Sequence, residues 1–365
     1  MAELKIKTDE IKGNIQKIST YLNQHSIKWS LITKVFSGDK EFLRRILVPD
    51  VIQGLHSVGD SRLSSLKNLK EVDPELVTIY IKPPAEIYTE EVVEYADISM
   101  NTSLKTIKAL NKAALKKSKI HKIIIMIELG ELREGVEREQ LIDFYKQVFN
   151  LSNIEIIGIG SNLGCMYGVE PTFDKLMQLS LYKHLLECSF DQKLELISGG
   201  SSITLPLMEK KLIPKELNHF RIGEAVFFGT SPLENKQFLD LSTDTFNFYA
   251  NIIELEEKGI VPDGIINEAN IGHTESFDAE DISRTSYKAI MDFGMLDVDY
   301  QSLELKDKRI GFVGTTSDMT VYDLGDNKDK NGKKKYSIGD SICFKPSYIA
   351  VARLLNSKFI EKNFV

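Results

Sequence analysis

The sequence has only three cysteines, Cys165, Cys188 and Cys343, an odd number, widely spaced and without a C-x-x-C pair. That pattern excludes a disulfide framework and a zinc knuckle, and it points to a reducing compartment. Basic residues are not in excess: 53 acidic side chains against 46 basic ones give a formal net charge of -7. With no basic stripe to follow a phosphate backbone, nucleic acid is not an expected partner. Long apolar runs are missing as well, none reaching the roughly 18 residues of a membrane span. The opening stretch "MAELKIKTDEIKGN" has no apolar signal core, so a cytoplasmic protein with no membrane contact is expected. The histidines, His25, His56, His121, His184, His219 and His273, have no metal-ligand spacing and no H-x-C pair. They read as surface or packing residues, and no metal is expected. A G-x-S-x-G elbow, a P-loop and a dinucleotide fingerprint are also absent.

What is present is 365 residues with an apolar fraction of 42%, enough for a large domain and a smaller one. Short, β-rich apolar runs recur at 28–35, 51–59, 76–82, 96–101, 122–130, 154–162, 194–200 and 219–229. Between them lie helix-like stretches such as "SLKTIKALNKAALKKS" and "PTFDKLMQLSLYKHLLECS", with apolar residues at spacings of three and four. The runs are nearly continuous rather than alternating, as in a parallel sheet covered by helices. Eight such repeats predict an α/β protein with an N-terminal (β/α)8 TIM-type barrel over 10–236. A doubly wound open sheet is the alternative. Beyond 236 the pattern changes to short apolar runs with turns. This predicts a mostly-β C-terminal domain over 237–365, joined by the first few N-terminal residues. The lysine-rich "NKDKNGKKK" (327–335) reads as a solvated hairpin loop.

Barrel chemistry sits at the carboxyl ends of the strands. Lys34 ends the first run, just ahead of the turn signal Ser37-Gly38-Asp39. A lone lysine there reads either as a snorkelling side chain or as an amine able to form a Schiff base. Arg133 follows the fifth run beside Glu131 and Glu134, a pattern that on its own is a surface ion-pair loop. Asn162 follows the sixth, in a Gly-rich turn. After the seventh come Gly199, Gly200, Ser201 and Ser202, small residues whose N–H and hydroxyl groups suit a phosphate. The eighth run carries Arg221 and Gly223.

The stretches "ITKVFSGD", "GDSRLSSL", "MIELGELREGV", "IGIGSNLGC", "ISGGSSITLPLM", "LNHFRIGEAVFFGT", "GTTSDMTVYD" and "YSIGDSICF" run in one order over nearly the whole chain. In that order the sequence resembles the two-domain alanine racemase superfamily, the fold-type III pyridoxal phosphate enzymes, and most closely its ornithine-racemase-like branch. The resemblance implies a pyridoxal 5'-phosphate-dependent racemase that interconverts L- and D-amino acids by Cα proton transfer. Lys34 would hold the cofactor as a Schiff base and then move the proton. Arg133 would bond near the phenolic oxygen, and Asn162 would support the ring. Ser201 or Ser202, with the backbone at Ile222 and Gly223, would hold the phosphate. Arg221 would face the pyridine nitrogen, where related decarboxylases place a glutamate; Glu224 stands nearby. Thr316, Ser317 and Asp318 resemble the segment that receives the substrate carboxylate. The family forms homodimers with shared active sites.

Two departures stand out. Met295, in "FGMLDVD", occupies the position of the family's second base, a tyrosine, and methionine transfers no proton. Tyr287, Tyr300 and Asp297 are the candidate substitutes. The tyrosine that follows the family lysine is replaced by Phe36, Ser37 and Gly38. Ornithine, another basic amino acid, alanine and serine are the candidate substrates. Rival readings are a fold-type III lyase or decarboxylase, a non-catalytic carrier of pyridoxal phosphate, and a cofactor-free Schiff-base aldolase.

Overall fold

Parallel strands covered on both faces need apolar side chains throughout, and the runs identified above supply the barrel. The computed structural model describes residues 1–266, 272–274 and 284–365. Its two compact units are Thr8–Thr243, and Met1–Lys7 together with Asp244–Val365. The first strand, β1 (Glu3–Ile6), belongs to the latter unit. In the former, β2 (Lys28–Ile32), β3 (Ser57–Asp60), β4 (Thr78–Tyr80), β5 (Ile98–Asn101), β6 (His121–Met126), β7 (Ile154–Gly160), β8 (Leu196–Ser201) and β9 (His219–Ile222) follow one another. All pair in parallel, and β9 returns to β2 through Trp29↔Phe220 and Ser30↔Arg221, closing the barrel. The open-sheet alternative is thereby set aside. No described helix is long and apolar enough to cross a membrane.

Two of the apolar runs expected to be strands are partly helical. Residues Pro49–Ile52 form a helical turn with proline at its start, and β3 begins only at Ser57. Likewise β9 stops at Ile222, and Glu224–Phe228 is helical, closed by Gly229 in the left-handed region at φ 69. An apolar run of four or five residues does not distinguish strand from helix; the flanking proline and glycine do.

Inside the barrel, β4 to β8 contribute Ile79, Ile98, Met100, Ile124, Met126, Ile157 and Leu196 to one buried cluster. Each such side chain stabilises the fold by about 1.5–3 kcal/mol. The barrel is therefore filled, and a ligand meets it at the strand ends.

At one of those ends Asp60 is wholly buried. Its Oδ1 accepts the Arg62 N–H at 2.9 Å, while its Oδ2 has no partner among the described residues. Burial pushes the carboxyl up to about 6, against the opposing Arg62 N–H. The folded chain thus holds a proton that the unfolded chain releases near pH 4, and stability falls as the pH rises from about 4 through 6. Asp60→Asn keeps the acceptor and removes the charge. It is expected to raise the unfolding free energy at pH 8 by about 1–3 kcal/mol and to leave it nearly unchanged at pH 4. Urea denaturation at both pH values checks this; an equal effect at the two would show that ionisation is not the cause.

In the other unit, β10 (Thr230–Ser231) and β11 (Lys236–Gln237) having closed the barrel segment as a small hairpin, the chain enters its longest strand, β12 (Phe246–Gly259). With β13 (His273–Thr274), β14 (Thr285–Met291), β15 (Leu303–Leu305), β16 (Gly311–Thr315), β17 (Thr320–Asp323), β18 (Ser341–Pro346) and β19 (Glu361–Phe364), it forms one sheet among the described residues. β1 joins that sheet, antiparallel to β12 and parallel to β19. Within the region expected to be mostly β, "SYIAVARLL" forms a helix over Tyr348–Asn356, capped by Ser347 and burying Ala350, Val351 and Leu354. The lysine-rich segment is a hairpin loop held by Asp329, whose Oδ1 accepts the N–H groups of Asn331 and Lys333.

Candidate active site

Lys34 opens a single 3-10 turn, Lys34–Phe36, directly after β2. The turn is stopped by Ser37 and Gly38, both in the left-handed region at φ 50 and 75, and Asp39 then caps the helix Lys40–Ile46 by accepting the Phe42 N–H. The sequence SGD thus ends one element and starts the next within three residues, and Lys34 is left exposed at the barrel mouth.

On β9, the strand beside β2, the Arg221 guanidinium lies buried among acceptors from β8 and from the end of β7. Nη1 donates to the Ser198 carbonyl and hydroxyl, both at 2.6 Å, and Nη2 donates to the Ser161 carbonyl at 2.8 Å and Asn162 Oδ1 at 3.1 Å. Burial lowers it to about 10, with Glu134 acting against the shift, so it stays charged at neutral pH. Ser198 Oγ accepts from Arg221 and is also hydrogen-bonded to His219 Nδ1 at 2.7 Å. The other ring nitrogen, Nε2, is bonded to Ser30 Oγ at 2.9 Å, and the Ser30 and Ser57 hydroxyls are bonded to each other at 2.7 Å. Burial, with the charges of His56 and Arg221, holds His219 neutral, well below the usual imidazole range.

Glu134 ties this group to the loop after β6. It makes a fork with Arg133 Nε and Nη2 and accepts from Asn162 Nδ2 at 2.6 Å. Arg133 also donates Nη1 to Cys165 Sγ. The expectation of a surface ion-pair loop fails for Glu131. Its carboxylate is buried and accepts four N–H groups, from Cys165, Met166, Tyr167 and Val169, at 2.8 to 3.0 Å. Burial raises its pKa, but the four donors outweigh burial and leave it below the ordinary carboxylate value. Glu131, Glu134, Ser198 and His219 are the residues that sequence reasoning missed. The one available signal was the density of carboxylates in "ELGELREGV".

On the remaining side, the Ser202 hydroxyl is buried and accepts the Ala225 N–H at 3.1 Å, while Ser201 is half-buried and its N–H goes to Thr204 Oγ1. Ile222 is buried in β9 and pairs with Leu31. Gly223 lies so close to the end of β2 that a Cβ on it would stand 2.8 Å from the Ile32 carbonyl oxygen. That approach sets Glu224 beside Lys34, whose charge acts on the half-buried carboxylate. Lys34, Arg133, Asn162, Ser201, Ser202, Arg221, Ile222 and Gly223 thus all sit at or just past carboxyl ends of barrel strands.

In the sheet unit, Met295 and the segment Thr316, Ser317 and Asp318 come together. The Met295 N–H donates to the Thr316 carbonyl and the Leu296 N–H to the Ser317 carbonyl, each at 2.9 Å. Gly294 is required there, since a Cβ would stand 2.4 Å from the Asp318 nitrogen. Met295, Thr316, Ser317 and Asp318 are exposed. Asp297 is buried and closes its own turn, accepting from the Gly294 N–H and from Ser357 Oγ at 2.7 Å. Tyr300 stacks on Phe312 at 3.6 Å between ring centroids, and Tyr287 is half-buried on β14.

Residues 6–232 match the alanine racemase N-terminal domain family. The chain is 32% identical over 364 residues to an ornithine racemase of Acetoanaerobium sticklandii, covering 100% of this chain and 99% of that one. It is 29% identical over 359 residues to a lysine racemase of Thermotoga maritima, covering 98% and 97% respectively. Among solved structures, alanine racemase from Bartonella henselae with covalently bound pyridoxal phosphate superposes with a TM-score of 0.73 at 18% identity, over 100% of this chain and 99% of that one. Alanine racemase from Corynebacterium glutamicum gives 0.72 at 15%, with coverages of 100% and 99%. A lysine and an arginine on neighbouring strands of one closed barrel thus coincide with a family match over most of the chain, which therefore belongs to the alanine racemase N-terminal domain family.

Proposed function

We propose that this protein is a pyridoxal-phosphate-dependent racemase of basic amino acids, working as a homodimer with the barrel and sheet domains expected at 10–236 and 237–365. The observation that carries the reading is the buried, charged Arg221. Its four Nη hydrogens are taken by Ser198, Ser161 and Asn162, and among the described residues the Nε hydrogen has no acceptor and is the one left to donate to a ring nitrogen. That donor fits pyridoxal phosphate. When bound, the cofactor supplies an aldehyde that takes up amines and an aromatic ring that withdraws electron density from Cα.

Each residue then has a task. Lys34 engages the aldehyde and moves the Cα proton on one face of the substrate. Arg221 donates to the ring nitrogen and, staying charged, cannot take a proton from it. This limits electron withdrawal and favours reversible proton transfer over decarboxylation. Ser201 and Ser202, with the backbone at Ile222 and Gly223, hold the phosphate. Arg133 and Asn162, fixed by Glu134, hold the ring's phenolic side. Thr316, Ser317 and Asp318 receive the substrate carboxylate. The names of the two curated relatives, an ornithine and a lysine racemase, support a substrate with a distal ammonium.

The absorption spectrum of the purified protein tests the cofactor, and chiral analysis after incubation with L-ornithine, L-lysine, L-alanine and L-serine tests the reaction. A band near about 420 nm together with D-ornithine or D-lysine is expected. A band without D-product from any amino acid would move the reading to a lyase or a carrier. No band after addition of pyridoxal phosphate would remove the cofactor.

A further inference from the structure

A racemase that acts on diamino acids has to distinguish a side chain ending in an ammonium from one ending in a methyl group. Several carboxylates at the ends of the barrel strands are already engaged or out of reach. Glu128 accepts the N–H groups of Gly130 and Arg133, Glu131 accepts four N–H groups, and Glu134 is forked with Arg133 and bonded to Asn162. Asp60 has an unpartnered oxygen but is wholly buried, so no substrate reaches it.

Glu224 differs from all of these. It begins the helix Glu224–Phe228 immediately after Gly223, where the close approach to the Ile32 carbonyl brings the end of β9 against the end of β2. It is half-buried and accepts no hydrogen bond from any described residue. Burial pushes its carboxyl up, and the one charge that draws it back is the Lys34 ammonium. While Lys34 stands as the uncharged base of the proposed reaction, that charge does not serve Glu224. A half-buried carboxylate without donors is then left beside the reacting lysine, in want of a cation.

We propose that Glu224 selects the substrate, its carboxylate receiving the distal ammonium of ornithine or lysine. The proposal rests on the racemase reading and names the residue that would set its substrate class.

The test compares the loaded wild-type enzyme with Glu224→Gln in two ways. First, kcat/KM is measured for L-ornithine and for L-norvaline, which has the same carbon chain without the ammonium. Loss of a charge-assisted hydrogen bond is expected to lower the ornithine-to-norvaline ratio about 10- to 100-fold. A ratio unchanged within about threefold overturns the proposal, even if both rates fall. Second, calorimetry follows ornithine binding to each protein. Binding weakened by a similar factor in the variant supports the proposal, and equal binding overturns it. If the wild-type protein turns over no amino acid, the racemase reading fails, and the calorimetric comparison still decides the role of Glu224. Glu224→Ala repeats both measurements should the amide disturb the turn after Gly223.

Discussion

Lys34→Ala is expected to give a folded protein without the absorption band of a bound aldehyde and with racemase activity reduced by at least about a thousandfold. The size of the effect follows from the proposed double role, because one amine both engages the cofactor and moves the substrate proton. Folding should survive the change. The bond that the Lys34 carbonyl makes to the Ser37 N–H is kept by alanine, and the residue is exposed. The far-ultraviolet circular dichroism and the unfolding midpoint should therefore match those of the wild type. A variant that keeps the band would show that the cofactor is held by another amine; a variant that keeps the activity would exclude Lys34 as the proton carrier.

The second large effect concerns Arg221. Arg221→Ala takes the Arg221 donor from the Ser161 carbonyl and Asn162 Oδ1, leaves the Ser198 carbonyl with the Ser161 N–H, and removes a positive charge that faces Glu134. Breaking one partner of a buried charged network costs about 3–5 kcal/mol, so a clear drop in unfolding free energy is expected in urea denaturation. Arg221→Lys keeps a charge but not the planar fork, and it should recover only part of the loss. In both variants the absorption band should shift if Arg221 faces the ring nitrogen. A stability change below about 0.5 kcal/mol, the size seen for surface substitutions, would contradict the network.

The His219 arrangement has a related consequence. A protonated ring would place a second buried positive charge beside the Arg221 guanidinium, to which it is linked through Ser198. The neutral ring, bonded through to Ser30 and Ser57, is thus part of what holds Arg221 in place. A sequence-only reading of His219 as a packing residue captures its burial and misses this orientation.

Much of the barrel was legible in the sequence because the physics behind it is local. Buried parallel strands need continuous apolar runs, amphipathic helices need spacings of three and four, and turns need glycine, proline or an Asx cap. The places of Lys34, Ser201, Ser202 and Arg221 at strand ends follow from that pattern. Where the local signal was ambiguous the reading failed, as at Pro49–Ile52, Glu224–Phe228 and Tyr348–Asn356, where short apolar segments turned out helical. Only the tertiary structure decided which polar groups meet. Arg221 reaches Ser161 and Asn162 across about sixty residues of chain, and Glu131 gathers N–H groups more than thirty residues away. Closure of the barrel is what brings these groups together. In a buried setting each donor and acceptor must find a partner, and neither residue type nor spacing says which partner that is.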